Sequence, residues 1–329
     1  MRSITRSFRV FRYPILATIF LSCCAIPNPS AAQDIPRIVR LENNPAITPD
    51  MLQGDDGGNI NGPSLIRVPD WVVNPLGRYY LYFAHHAGKY IRLAYSDSIT
   101  GPWIVVDEGS LRLEQTHCIQ DTHIASPDVH VDNERKQIVM YYHCPADVPA
   151  SETGRQRTLG ATSSDGRSFE AQSEALGNSY FRVFEWGEHT YALGMPGIFY
   201  RSDSSLSGFE RGPQLFTEDM RHSAVTVREN ILFVFYTDVG DDPERILVSM
   251  IDLSTDWESW KESSSAVVLE PEKDWEGGLM PAEPSVRGYA RSFVRELRDP
   301  ALFEEEGRTY LLYAVGGESG IAIAQIVWE

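Results

Sequence analysis

The predicted fold rests on three consecutive stretches near the end of the chain, LRDPALF (Leu297–Phe303), GRTYLLYA (Gly307–Ala314) and GIAIA (Gly320–Ala324). They indicate a short apolar strand, a turn containing glycine, a second strand rich in Tyr and Leu, and a third strand. Pro300 is compatible with the start of the first strand, because a residue there need not donate a hydrogen bond to the sheet. Weaker copies of this unit recur upstream, and a recurring strand unit indicates a repeat architecture.

Five such units follow one another, and their first strands begin near Pro63, Ser126, Tyr180, Ser223 and Leu297. Helical periodicity is almost absent, while β-branched and aromatic residues fill the second strand of each unit. Repeated local sheets are typical of a propeller, so we predict an all-β, five-bladed β-propeller. The fifth unit has three strands, and Arg37–Leu41 is expected to supply its outer strand and close the ring. A β-sandwich is the alternative, but it does not explain the recurring Ser/Gly/Asp-Pro start.

Residues 1–32 are predicted to be a signal peptide, and residues 33–329 to form the propeller domain. A start with four Arg is followed by the apolar run Ile15–Ile26 and by small residues at Ser30–Ala32, the pattern of a secretory signal. The apolar run is roughly a dozen residues long, too short for a membrane span of about 20. A lipoprotein signal at Cys23 is the alternative. We expect a secreted or periplasmic protein that is not membrane-bound once the signal is removed.

The charge of the chain excludes some classes of partner. The net charge is −17, and removing the four Arg of the signal, which contains no acidic residue, takes it to −21. Such an acidic surface argues against nucleic acid or an anionic membrane as a partner. Cys118 and Cys144 remain, either as a disulfide or as two separate buried thiols. The sequence leaves that choice and the oligomeric state open.

Polar residues recur where the innermost strands of a propeller begin and where the loops between second and third strands reach the same rim. Fixed donors and carboxylates in such a cleft suit a polyhydroxylated ligand, although each residue taken alone is equally well explained as a capped strand end. The histidines leave a bound cation open, and no cofactor is required. The predicted substrate-binding residues are Asn61, His85, His86, His123, His143, Arg182, Arg221, His222, Arg298 and Glu318.

Two motifs resemble a known family. IASPDVH (Ile124–His130), followed by Tyr141-Tyr142, resembles the second blade of glycoside hydrolase family 43, where Ala-Pro-Asp-Val precedes a Tyr-rich strand. Gly62-Pro63-Ser64-Leu65 resembles that family's first blade, and Arg298-Asp299-Pro300 resembles the Arg-Asp-Pro of sucrose-cleaving propeller relatives. The resemblance implies a five-bladed propeller that cleaves glycosidic bonds, acts on a carbohydrate substrate and uses Asp128 to tune its catalytic acid.

The chain departs from this pattern at both main catalytic positions. The family's base is an Asp directly before the first-blade Pro, where this chain has Gly62, and the third-blade Glu acid falls near Asn178-Ser179. Glycoside hydrolysis normally needs two carboxyl groups. We therefore predict a different set that meets at one end of the channel, with Asp299 as base or nucleophile, Glu276 or Glu283 as acid, and Asp128 as tuning group.

The sequence thus predicts an exported glycoside hydrolase that acts on a glycan or short oligosaccharide. The alternative from another class is a non-catalytic carbohydrate-binding propeller that has lost the family's base and acid. A lyase or phosphorylase on the same scaffold is a third hypothesis.

Overall fold

The computed structural model describes residues 35–147 and 155–328, which form five sheets of four antiparallel strands each. This confirms the predicted all-β, five-bladed propeller. The predicted signal peptide lies outside the described residues. None of the helices in the described part of the chain has the length and apolar character needed to cross a membrane.

Each blade is built mainly from strands that are consecutive in the sequence. The strands are β1 (Arg37–Arg40), β2 (Asn61–Arg67), β3 (Tyr79–Ala84), β4 (Tyr90–Ser96), β5 (Ile104–Arg112), β6 (Ala125–Asp132), β7 (Gln137–Pro145), β8 (Gln156–Ser163), β9 (Glu170–Asn178), β10 (Arg182–Trp186), β11 (His189–Gly194), β12 (Ile198–Ser202), β13 (Glu210–Gln214), β14 (Met220–Arg228), β15 (Ile231–Asp238), β16 (Ile246–Asp252), β17 (Ala266–Leu269), β18 (Arg298–Glu305), β19 (Arg308–Ala314) and β20 (Ile321–Val327). Short 3-10 helices lie at Pro49–Met51, Gly54–Gly58, Leu113–Gln115, Trp257–Ser259 and Asp274–Glu276.

The second strand of each blade holds the ring together because it is buried on both faces. All six residues of β3 are buried. Tyr80 and Tyr82 pack with Met140 of the second blade, whereas the alternate residues Leu81 and Phe83 pack towards the fifth blade. Alternate side chains of one strand therefore contact both neighbouring sheets, which is the arrangement that strands buried on both faces require.

The N-terminal strand lies in the last blade. β1 pairs antiparallel with β20, and Arg37 lies opposite Val327. The fifth sheet therefore has the order β1-β20-β19-β18, with β1 as its outer strand. The innermost strands β2, β6, β10, β14 and β18 surround the axis, and consecutive blades are neighbours around the ring.

A disulfide joins Cys118 to Cys144, with 5.9 Å between their Cα atoms. It links the segment that precedes β6 to the end of β7, and so decides the choice that the sequence left open. His143 is the immediate neighbour of Cys144, and His123 follows Cys118 by five residues. The crosslink therefore restrains two of the predicted substrate-binding histidines.

Candidate active site

A turn with a left-handed backbone stands at the start of every innermost strand. In four blades the register with the second strand shifts at this position. A non-glycine residue in this region costs about 1–3 kcal/mol, and such residues cluster at functional sites. The turn residues, with φ between 48° and 66°, are Gly62, Ser126, Tyr180, His222 and Asp299.

These turns surround a pocket of about 230 Å³ to which all five blades contribute. The structure brings together Asp299 and six of the predicted substrate-binding residues. Gln156, Ser179 and Met195 complete much of the wall. They were not predicted, because no motif marks them in the sequence. The six predicted residues in the lining are Asn61, His86, His123, His143, Arg221 and His222.

Asp299 is the carboxylate in this pocket, and it is 2% exposed. Its Oδ1 accepts a hydrogen bond of 2.7 Å from the Tyr180 hydroxyl and lies 3.8 Å from Nε2 of His222. Its Oδ2 is buried and has no hydrogen-bond partner among the described residues. Burial, reinforced by the negative charge of Glu318, raises the pKa of Asp299 to about 7. The group is therefore able to hold a proton near neutral pH.

The histidines of the pocket are neutral near pH 7. Burial, with the nearby Arg221 as the next cause, holds the pKa of His222 well below its usual value. Burial also lowers the pKa of His143 strongly, and those of His86 and His123 to a smaller extent. Neutral imidazoles both donate and accept hydrogen bonds. No three His, Cys, Asp or Glu side chains in the described ranges are placed to hold a metal ion.

Tyr180 forms the floor of the pocket, and Arg182 packs behind its ring; both residues are buried. The guanidinium of Arg182 lies 4.3 Å from the centre of the Tyr180 ring. Its Nε donates to the carbonyl of Ser223 and its Nη1 to the carbonyl of Pro127, so it links the fourth blade to the second across the axis. Arg182 therefore does not reach the pocket, contrary to its predicted role in substrate binding.

Asp128 lies on the other side of this floor, which corrects the prediction that it shares a pocket with Asp299. It lines a separate, wider cavity towards the far ends of the innermost strands. His130 lies 2.8 Å away, the amide of Val183 donates to Asp128, and Arg182 lies 3.9 Å from it. These partners lower its pKa although burial opposes the shift. Asp128 is thus well placed to hold Arg182, and it does not face a ligand beside Asp299.

A buried charge network lies beside the pocket, beneath the turn residues. Nε of Arg221 donates to Glu244 at 2.9 Å, and its Nη2 makes a second contact with the same carboxylate. Arg298 contacts Glu296 at 2.5 Å, Glu318 at 2.9 Å and Glu244 at 3.3 Å. Three carboxylates thus share two guanidinium groups. Within this network the charge of Glu318 raises the pKa of Asp299, whereas Arg298 and Arg221 oppose the shift. Arg298 and Glu318 hold this network instead of lining the pocket.

Neither predicted acid reaches the pocket. Glu276 is 0% exposed and forms a bidentate ion pair with Arg40, whose Nε and Nη2 donate to the two carboxylate oxygens at 2.7 and 2.9 Å. It also accepts a hydrogen bond from Tyr313, so it is a buried group that holds β1 against the fifth blade. Glu283 is exposed on an irregular segment and does not line the pocket. His85 also lies outside the lining, although its neighbour His86 belongs to it.

The first-blade base position of family 43 is closed in this chain. A Cβ atom on Gly62 would lie 2.9 Å from the Cα atom of Ser126, and φ is +56°. A carboxylate side chain therefore does not fit there without moving the second blade. At the third-blade position, the side-chain amide of Asn178 donates to the carbonyl of Met195. The residues at both positions, Gly62 and Asn178, thus fit the local packing and hydrogen bonding of this chain.

Comparison with family models gives no match. In sequence, the chain is 34% identical to Uncharacterized protein R118 of Acanthamoeba polyphaga mimivirus, with 89% of this chain and 91% of that protein covered.

Several solved structures share the fold. A family 130 structure, from a study of mannoside phosphorylases and hydrolases of β-1,2 mannosidic linkages in Candida mannan, superposes with a TM-score of 0.62, 11% identity and coverage of 90% and 95% of the two chains. The family 43 β-xylosidase/α-arabinofuranosidase CoXyl43 from a compost metagenome superposes with a TM-score of 0.54 and 13% identity, covering 89% of this chain and 95% of CoXyl43. A family 43 enzyme from Xanthomonas citri bound to xylose superposes with a TM-score of 0.54 and 11% identity, covering 81% of this chain and 86% of that enzyme. At these identities the structures show a common fold, which confirms the predicted family 43 type of propeller.

Proposed function

Because the chain belongs to the family of protein R118 from Acanthamoeba polyphaga mimivirus and has a glycoside-hydrolase-like propeller fold, we propose that it hydrolyses a glycosidic bond at the end of a carbohydrate chain. The observation that carries the proposal is a protonatable Asp299 in a pocket lined by neutral histidines. A pocket of about 230 Å³ is smaller than the usual range of about 300–1,000 Å³ for larger ligands, so it suits one sugar ring.

Several residues of the pocket wall carry buried polar atoms without a hydrogen-bond partner among the described residues. Buried polar groups in proteins are nearly always hydrogen-bonded, by protein, water or ligand. A sugar ring offers hydroxyl groups that donate and accept in several directions, and so matches a wall of mixed donors and acceptors. The buried atoms without a partner in the described part of the chain include Oδ1 of Asn61, Oε1 of Gln156, Nδ1 of His143, Nδ1 of His222 and Oδ2 of Asp299.

In the proposed reaction Asp299 is the general acid. Its proton passes to the glycosidic oxygen while the bond from that oxygen to the anomeric carbon breaks, and both electrons stay on the oxygen. A water molecule adds to the anomeric carbon and gives its proton to an imidazole. His143 suits this base role, because it belongs to the second blade, across the ring from the fifth, and its Nδ1 has no partner among the described residues. A carboxyl group with a raised pKa is matched to such an acid role.

The pH dependence follows from these two groups. Asp299 must be protonated, so kcat/KM falls as the pH rises through about 7. His143 must be neutral, and its lowered pKa places the acidic limb below the usual histidine range. We expect a bell-shaped profile for release of monosaccharide from xylobiose or β-1,2-mannobiose, measured between about pH 4 and pH 9. A glycosyl fluoride, whose leaving group needs no proton, serves as control and loses the alkaline limb. A disaccharide profile that stays level across pH 7 contradicts the acid role.

A non-catalytic sugar-binding propeller is the second candidate. The observation that favours it is that Asp299 is the one carboxylate among the described residues lining the pocket, whereas glycoside hydrolysis normally uses two. Calorimetric titration with xylose and mannose, combined with a hydrolysis assay, separates the two candidates. Saturable binding without turnover of either disaccharide supports the binding protein.

Export remains part of the proposal. The Cys118–Cys144 disulfide supports an oxidising compartment, because such crosslinks persist outside the cytosol. We expect the protein recovered from the periplasm or medium of expressing cells to begin near residue 33, and N-terminal sequencing checks this. An intact N-terminus on the recovered protein argues against the signal peptide.

A further inference from the structure

The irregular segment of residues 281–294, here called the strap, runs along the edge of the pocket. Arg287 and Gly288 belong to both the strap and the pocket wall. The fold does not require the strap, because the fifth blade is complete without it. We therefore interpret the position of the strap beside the pocket as a role in ligand binding.

The strap is held in place by buried groups. The carbonyl of Gly288 accepts hydrogen bonds from Nη1 of Arg298 at 3.0 Å and from Nη1 of Arg221 at 3.3 Å. The amide of Ala290 donates to Glu318 at 3.3 Å, and the hydroxyl of Ser285 accepts from the amide of Gly240 at 3.0 Å. The buried charge network thus fixes the backbone on both sides of Tyr289.

A second cavity of about 480 Å³ adjoins the pocket at this point, and the two share Arg287 and Gly288. Tyr289 lines it, with its ring centre 5.4 Å from that of His86 in the pocket wall and 43% of its surface exposed. The guanidinium of Arg291 lies 5.4 Å from the centre of the Tyr289 ring, Ser292 adds a donor, and Glu296 adds a carboxylate. A half-exposed aromatic ring on a fixed backbone, surrounded by polar groups, matches the apolar face and hydroxyl rim of a sugar ring.

We propose that the second cavity binds the leaving-group sugar, with Tyr289 as the platform for its ring. This inference rests on the proposed function, because it places the scissile bond between the Asp299 pocket and the strap. The substrate is then at least a disaccharide, and Tyr289 determines the preference for a sugar over a small leaving group.

The test compares leaving groups that do and do not reach the strap. The substrates are xylobiose with β-D-xylosyl fluoride, and β-1,2-mannobiose with β-D-mannosyl fluoride. We expect Tyr289→Ala to raise KM for the disaccharide by about tenfold and to leave the fluoride unchanged, since a single fluorine does not extend into the second cavity. Tyr289→Phe keeps the ring and should stay within about twofold of the wild type. Phe293→Ala, an exposed aromatic of the strap outside the cavity wall, is the matched control.

Disaccharide kinetics within about twofold of the wild type in Tyr289→Ala overturn the inference, as does an equal loss on fluoride and disaccharide. If the wild type hydrolyses none of the four substrates, the proposed function fails and calorimetry decides the inference separately. Tighter binding of a disaccharide than of its monosaccharide, lost in Tyr289→Ala, then supports the second cavity. Equal binding, or none, overturns it.

Discussion

Asp299→Asn is expected to lower kcat for xylobiose or β-1,2-mannobiose by about a thousandfold, because the leaving sugar no longer receives a proton. The substitution preserves the shape of the residue and the acceptor for the Tyr180 hydroxyl. Glycosyl fluorides should lose less than about tenfold, since fluoride leaves without protonation. Steady-state kinetics on the matched substrates measure both effects. An equal loss on both kinds of substrate would instead assign Asp299 the base or nucleophile role predicted from sequence.

The same variant has a stability signature. The raised pKa means that folded Asp299 holds its proton more tightly than the unfolded chain does, so its contribution to stability declines as the pH rises from about 4 to about 7. Asparagine removes the buried charge, and we expect Asp299→Asn to be more stable than the wild type by roughly 3 kcal/mol at pH 8 and similar near pH 4. Urea denaturation at both pH values measures this.

The variant Glu283→Gln tests the alternative assignment of the acid. A large loss of turnover in this variant would restore Glu283 as the acid.

Arg298→Met is expected to lower the free energy of unfolding by about 4 kcal/mol at pH 7, the scale for breaking a buried ion pair from one side. Arg298 is 1% exposed and balances Glu244, Glu296 and Glu318. Burial already raises the pKa of Glu296 with Arg298 present, so loss of the cation should raise it further. The variant should therefore regain stability as the pH falls from about 7 to about 5.

Arg67→Met is the control for this experiment. Arg67 also pairs with a glutamate, Glu305 at 2.8 Å, but its side chain is 45% exposed. Exposed ion pairs contribute little to stability, so urea denaturation should detect little change. A loss in Arg298→Met no larger than in Arg67→Met would mean that the network does not support the strap or the pocket as described.

The sequence predicted the ring of sheets because the evidence for it is local. Each blade repeats an apolar strand, a glycine turn and a Tyr-rich strand within a short window, as in Leu302–Tyr313. Some of the side chains that meet at the pocket also followed from this repeat, although Gln156, Ser179 and Met195 did not. Innermost strands that all run in one direction bring their starts to one end, which is why Asn61, His222 and Asp299 were grouped correctly in space.

The sequence did not predict how far along the axis of the propeller each side chain lies. Asp128 and Asp299 both stand beside a proline, but Asp299 precedes Pro300 and occupies the turn itself, whereas Asp128 follows Pro127 and lies two residues beyond the turn. A strand rises about 3.3 Å per residue, so two residues place Asp128 deep enough for Arg182 to separate it from the pocket. The turn position in the second blade belongs to Ser126.

Placement within residues 270–296 was unpredictable for a different reason. This stretch has no strand period, so the direction of each side chain depends on distant partners. Glu276 is turned inward by Arg40, which lies 236 positions earlier in the chain. Glu283 has no such cation within the described ranges and faces solvent. Glu244 was missed because it follows a run of aspartates in a loop and becomes significant only through Arg221 and Arg298.

The pairing of β1 with β20 constrains how the protein is made. Arg37 pairs with Val327, so the last sheet cannot be completed before residue 327 has been synthesised. Until then β1 lacks its neighbour, and an unpaired strand edge favours association with other chains. Removing β1 would leave β20 as an exposed edge strand, and removing β20 would leave β1 and β19 without their shared partner. We therefore expect either truncated form to aggregate.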